Sequence, residues 1–299
     1  MCIQAQTLQS YDDFHQRGMK RYTKGDYDGA ISDFTRAIEL SSRLQTKNDF
    51  QQNNFSSTTK TSGDAMTVME NVRVIDPRTA LAFTNRGVAH LAKGDVDQAI
   101  VDFNRALAIS PALVLAYHNR AAAFLTKKEI EKAIADYDKA LKIDPQYAEG
   151  YAGRATARRE KGDLEGAFED FNTAIKLEPK NANVYYLRGE VRRRIGDLEK
   201  AVVDFEQSMK LDSRFAQPYY GRGMVRFFNL DLDAAIADFT KAINLDSRLS
   251  RAFANRGFIY LIQGKDEEAE KDFSRALAIS PDLRSEVEAS IKKIKELKR

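Results

Sequence analysis

Sixteen residues separate each of seven arginines from an aspartate: Arg17 from Asp33, Arg86 from Asp102, Arg120 from Asp136, Arg154 from Asp170, Arg188 from Asp204, Arg222 from Asp238 and Arg256 from Asp272. Guanidinium and carboxylate recurring together are material for ion pairs, because a partly buried arginine needs a carboxylate opposite it. A charge kept for a ligand would not need an equal and opposite companion at every recurrence. These residues are therefore read as structural and excluded from a binding site. Other chemistry is poorly supplied. His15, His90 and His118 are far apart in sequence, with no two at metal-ligand spacing, and no Gly-rich phosphate loop or nucleophile elbow occurs. Cys2 is the only cysteine, which excludes an internal disulfide and a cysteine-based zinc site. The expectation is no enzyme activity, no cofactor and no metal.

The elements that hold these charges repeat every 34 residues. Units begin near Tyr11, Ala80, Val114, Ala148, Ala182, Ala216 and Ser250. Counting from each first residue, position 8 is small (Gly18, Gly87, Ala121, Ala155, Gly189, Gly223, Gly257), and so is position 20 (Ala30, Ala99, Ala133, Ala167, Ala201, Ala235, Ala269). Position 4 is aromatic in every unit, from Phe14 to Phe253, and position 24 likewise, from Phe34 to Phe273. Residues three or four apart share a helix face, so large side chains on one helix fill the space left by small ones on its neighbour. Gly25, Gly94, Gly162, Gly196 and Gly264 at position 15 end the first helix. Pro77, Pro111, Pro145, Pro179 and Pro281 mark the passage to the next unit. Each unit is expected to be a helical hairpin.

This large-small pattern resembles the tetratricopeptide-repeat family over residues 11–44 and 80–283. The resemblance implies an all-α, right-handed superhelical solenoid of antiparallel helix pairs, whose first helices line a concave groove with positions 2, 5, 6, 9, 12 and 13. The expected divisions are an N-terminal extension (1–10), repeats at 11–44, 80–113, 114–147, 148–181, 182–215, 216–249 and 250–283, and a capping helix at 284–299. Val287, Ile291, Ile294 and Leu297 form a stripe at helical spacing on that last helix, suited to covering the final repeat. Residues 45–79 break the phase and are expected to be a polar insertion, partly disordered. Gln45 to Asp64 is read as a mobile loop on its Ser, Thr, Asn and Gln content, and the stretch from Ala65 as one helix of a degenerate repeat.

The groove positions then supply the candidate binding residues. Asn85, Asn119 and Asn255 fall at position 6, where an amide can pair with an extended peptide backbone of any sequence; Gly153, Leu187 and Gly221 interrupt that row. Arg158, Arg192 and Arg226 at position 11, with Arg159, Arg193 and Arg194 beside them, make a basic middle suited to an acidic partner segment, or else are solvated or paired to second helices. Tyr186, Tyr220, Phe227 and Phe228 follow, as anchors for apolar ligand side chains or as surface covered by the terminal helix. The clamp with which some members hold chaperone tails requires Lys and Asn where His15 and Met19 stand, so that use is not expected.

The totals agree with a partner-holding role. Of 299 residues 43% are hydrophobic and 30% charged, and 47 basic against 44 acidic residues leave a net charge of only +3. That is too balanced for nucleic-acid binding. No apolar run approaches a membrane span. The expected function is a non-catalytic adaptor or scaffold that binds a protein or peptide with acidic and apolar segments. The alternative is a unit that self-assembles through its groove or end faces. The expected compartment is cytoplasmic, unless the true start lies upstream and residues 1–6 are the tail of an export signal.

Overall fold

The computed structural model describes the backbone of residues 2–56 and 77–297 and the side chains of 11–41 and 77–297. Its described residues form helices in consecutive pairs, with no strand among them. Two compact units divide the chain, Met1–Ala157 and Arg158–Arg299. The first holds α1 (Cys2–Thr23), α2 (Tyr27–Ser56), α3 (Pro77–Lys93), α4 (Val96–Ile109), α5 (Val114–Thr126), α6 (Ile130–Ile143) and the start of α7 (Ala148–Lys161). The second holds the end of α7, then α8 (Leu164–Leu177), α9 (Ala182–Ile195), α10 (Leu198–Leu211), α11 (Ala216–Phe228), α12 (Leu232–Leu245), α13 (Ser250–Ile262), α14 (Asp266–Ile279) and α15 (Arg284–Leu297), the last entered through a 3-10 turn at Pro281–Leu283.

Inside each hairpin the small and large positions meet as the spacing predicts. A Cβ added at Gly87 would lie 2.6 Å from Cε1 of Phe103, and one at Gly189 2.7 Å from Cε1 of Phe205. The hairpin turn imposes a left-handed backbone at position 15, and glycine supplies it in five units. Lys128 (φ 60°) and Leu230 (φ 62°) adopt the same conformation, so the turn and not the residue dictates it.

Successive hairpins join through a second apolar seam. Position 10 is buried against positions 17 and 21 of the preceding unit: Ala123 against Val96 and Ile100, Val225 against Leu198 and Val202, Ile259 against Leu232 and Ile236. The final hairpin ends this pattern, with exposed Asp266 and Glu270 where the others carry apolar residues. Helix α15 instead rests on α13. Val287 is buried in one cluster with Phe253, Phe258 and Leu261, and Ile291 and Ile294 pack beside it; Leu297, the fourth residue of the expected stripe, stays exposed. A polar outer face and a terminal helix are what a solenoid end requires.

The sequence reading differs from the structure in one segment. Helix α2 runs on to Ser56, so the loop expected from Gln45 does not begin there. Between Ala30 and Ser56 the chain has neither Gly nor Pro, and polar composition alone does not stop a helix. Residues 57–76 of that insertion, with most of the helix expected from Ala65, lie outside the described residues, and its last residues, 77–79, already belong to α3.

Candidate functional site

The buried carboxylates at position 23 organise each hairpin. In six units the position-7 arginine grips its aspartate side-on: in the pair Arg188–Asp204, Nε donates to Oδ2 at 3.0 Å and Nη2 to Oδ1 at 2.6 Å. The same fork joins Arg17 to Asp33, Arg86 to Asp102, Arg120 to Asp136, Arg222 to Asp238 and Arg256 to Asp272. Below the guanidinium lies the aromatic ring of position 4, with Arg188 5.5 Å from the ring centre of Tyr185.

The third donor of that guanidinium does something the sequence did not reveal. Nη1 reaches back to position 25 of the preceding hairpin: Arg86 to Thr35, Arg120 to Asn104, Arg154 to Asp138, Arg188 to Asn172, Arg222 to Glu206 and Arg256 to Thr240. One side chain thus ties its own hairpin together and staples it to the one before. The available signal was a hydrogen-bond acceptor at position 25 of every unit, hidden because the residue type changes from Thr to Asn, Asp and Glu.

Three candidate ligand contacts are spent on this framework. Arg158 donates from Nη1 to Asp170 at 2.8 Å, and Arg226 to Asp238 at 2.9 Å. Nη1 of Arg192 lies 2.8 Å from Asp204. Each also turns toward a carbonyl of its second helix, Gly166, Ala234 and Lys200 respectively. A buried carboxylate has lone pairs for two arginines, so positions 7 and 11 share it. These three belong to the hairpin, as the paired alternative had it. Arg193 is held in a fork by Glu190, at 2.9 and 3.1 Å.

The amide row at position 6 is likewise engaged. Asn85 pairs with His15 at 2.9 Å, and Asn255 donates to the Tyr220 hydroxyl at 3.1 Å, so position 6 reaches position 5 of the unit before. Asn119 turns back to the Leu115 carbonyl. The two glycine interruptions have a packing cause. A Cβ at Gly153 would meet the Tyr137 ring at 2.5 Å, and one at Gly221 the Phe205 ring at 2.7 Å. At both places rings from positions 5 and 34 stack edge-on instead, His118 with Tyr147 (5.4 Å) and Tyr186 with Phe215 (5.4 Å).

His118 carries a pH dependence. Burial among Tyr137 and Tyr147 pushes its pKa below the usual value, and the nearby Glu149 opposes that shift only in part. The unfolded chain then binds more protons at this site below about pH 6.5, so stability falls as pH drops through that value. The variant His118→Phe is expected to lose stability less steeply between about pH 7 and pH 5 in thermal melts. An unchanged slope would contradict the assignment.

On the first helices of the second unit, Tyr186 lies within electrostatic reach of Arg159, Glu190, Arg193 and Tyr220. Burial pushes the Tyr186 phenol up to about 12, and both rings lean on core phenylalanines, Tyr186 on Phe205 and Tyr220 on Phe239. Further along, the terminal helix takes up Phe258 and Leu261, and Phe227 is partly buried between clusters. It does not take up Phe228, which is 62% exposed. Arg194 is exposed, with Nη1 3.4 Å from the carbonyl oxygen of Arg159. Among the described residues no cluster of metal-ligating side chains occurs, and no helix is long and apolar enough to cross a membrane.

Comparison with known proteins adds an independent view. Residues 80–113, 114–147, 182–215 and 250–283 match the tetratricopeptide repeat, and 155–194 the TPR repeat, together more than half of the chain. Heat shock protein STI1 of Saccharomyces cerevisiae is 34% identical over 101 residues, which are 33% of this chain and 17% of that protein. The chain thus spans less than a fifth of this relative's length. A tetratricopeptide repeat protein from Parabacteroides merdae superposes with a TM-score of 0.66 at 20% identity, over 96% of this chain and 99% of the other. YrrB, described as a TPR protein with an unusual peptide-binding site, gives 0.50 at 24% identity over 65% of this chain and 97% of its own.

Proposed function

The chain belongs to the tetratricopeptide-repeat family, and on that premise we propose that it is a non-catalytic adaptor holding a peptide or protein segment against the first helices of its second unit. The observation that carries this reading is the contrast between side chains engaged in ion pairs or amide bonds and side chains exposed to solvent. Arg158, Arg192, Arg193, Arg226 and the amides Asn85, Asn119 and Asn255 are bonded within the framework, whereas Arg194 and Phe228 stand exposed on neighbouring first helices at the same repeat position. An exposed cation and an exposed aromatic at equivalent positions of successive repeats have the composition of a binding anchor. Likeness to STI1 and to YrrB supports the class of function and names no partner for this chain. Assembly through the face after the last hairpin is opposed by the exposed Asp266 and Glu270 and by the presence of α15.

Selection of a random displayed-peptide library on the immobilised chain tests this. Peptides should be recovered whose affinity weakens with salt and drops when Arg159 and Arg194 are replaced by Ala, because exposed charge contacts are screened. Recovery of no peptide, together with self-association that grows over a concentration series in sedimentation, would replace the adaptor by an assembly unit.

A further inference from the structure

Positions 13 to 15, where the first helix runs into its turn, change character along the chain. In the first four units they read Thr23-Lys24-Gly25, Ala92-Lys93-Gly94, Thr126-Lys127-Lys128 and Glu160-Lys161-Gly162. Two of these lysines reach back to the preceding hairpin, Lys93 to Asp28 at 2.8 Å and Lys127 to Asp97 at 2.7 Å. In the next three units the same edge reads Arg194-Ile195-Gly196, Phe228-Asn229-Leu230 and Phe258's neighbour Ile262 with Gln263 and Gly264. Ile195 is 52% exposed, Leu230 77% and Ile262 37%. Leu230 occupies the left-handed turn position that glycine takes in five units, so a large apolar side chain is presented to solvent where the backbone favours having none.

Arg194, Phe228 and Ile262 are equivalent position-13 residues of three successive hairpins. Arg194 touches the last turn of the preceding first helix through the Arg159 carbonyl oxygen at 3.4 Å, and α9 packs directly against the next first helix, α11. Packed helices lie about 8–10 Å apart. A polyproline-II segment has three residues per turn and rises about 3.1 Å per residue, so its every third side chain returns to one face after about 9 Å. A flat β-strand puts residues three apart on opposite faces, and its like-facing residues do not match the step.

We propose that the rim formed by Arg194, Phe228, Leu230 and Ile262 binds an extended, polyproline-II-type segment carrying an acidic residue and two apolar residues at every third position. This rests on the adaptor reading and specifies its ligand: the carboxylate faces Arg194, with Arg159 next to it, and the apolar pair covers Phe228 and Ile262.

The probe is a fluorescein-labelled peptide with glutamate, leucine and leucine at every third position and proline between them. Controls are a scrambled peptide and one spaced by two residues. Fluorescence anisotropy should show saturable binding of the first alone. Phe228→Ser should weaken it about tenfold, Arg194→Ala should flatten its salt dependence, and Leu230→Gly should weaken it without lowering the Tm. Equal binding of the scrambled peptide, or affinity unchanged by Phe228→Ser and Leu230→Gly, overturns the rim. All these positions are exposed, so circular dichroism and melting confirm that the variants fold. Should library selection on the same chain still recover binders that ignore the rim variants, the adaptor reading survives and this ligand assignment alone falls.

Discussion

Asp204→Ala lowers the stability of the second unit by about 3–5 kcal/mol, the range for breaking a buried ion pair by removing one partner. Asp204 is buried and receives the fork of Arg188 together with Arg192. Its loss leaves two largely buried guanidinium groups facing each other without a counter-charge. The exposed pairs of the same fold set the scale for comparison: Lys200 with Asp197, or Arg284 with Glu288, contribute about 0–1 kcal/mol each. Urea denaturation, with hydrogen exchange to locate the first opening, measures the effect. The loss should be local to α9 and α10, because each repeat contacts only its neighbours. A change below about 1 kcal/mol would place this aspartate with the exposed pairs and remove the hub from the account.

Phe205→Ala has an effect of the same order, about 3–5 kcal/mol, as for other large-to-small changes at fully buried aromatics. The ring is fully buried and fits between two glycines, Gly189 of its own hairpin and Gly221 of the next, where added Cβ atoms would approach within 2.7 Å. Two surfaces without side chains cannot move in to fill the void, which favours the upper part of that range. The converse change, Gly189→Val, forces a branched side chain into the ring and is expected to cost about 1–3 kcal/mol through overpacking. Thermal melts of both variants check the pair of effects. Near-native stability of Phe205→Ala would mean that the close approach at these glycines does not carry the seam.

Both predictions concern features that were legible to different degrees in the sequence. The ring and its glycine recur at fixed positions, so Phe205 and Gly189 were readable as a packed pair before any coordinates. The fork of Arg188 on Asp204 was readable for the same reason, since type and spacing are both constant. Arg192 was not, because a sequence shows a charge but not the unused lone pairs of an aspartate already assigned to another arginine. The staple to Asn172 escaped for the opposite reason: its geometry repeats while its residue type varies. The glycine that removes the amide at position 6 makes sense only with Tyr137 or Phe205 in view, since the ring at position 24 of the preceding unit occupies the space.

The candidate site followed the same division. Charge and aromatic content singled out the first helices of the second unit, yet Arg158, Arg192, Arg193 and Arg226 are paired with carboxylates that the primary structure places 3 to 12 residues away. Arg194 and Phe228 remained because they sit at the helix end, past the last residue that the hairpin can bury. The proposed binding rim therefore lies at the ends of the first helices, where Arg194 and Phe228 are exposed.

The most direct test of that claim is photo-cross-linking with the labelled proline-spaced peptide and a benzoylphenylalanine placed at one exposed site at a time. Phe228 is the rim site, and Val203, 60% exposed on the second helix α10, is the control. A cross-link from position 228 that competes away with unlabelled peptide is expected, and none from position 203. Cross-linking from 203 alone, or equally from both, would contradict it.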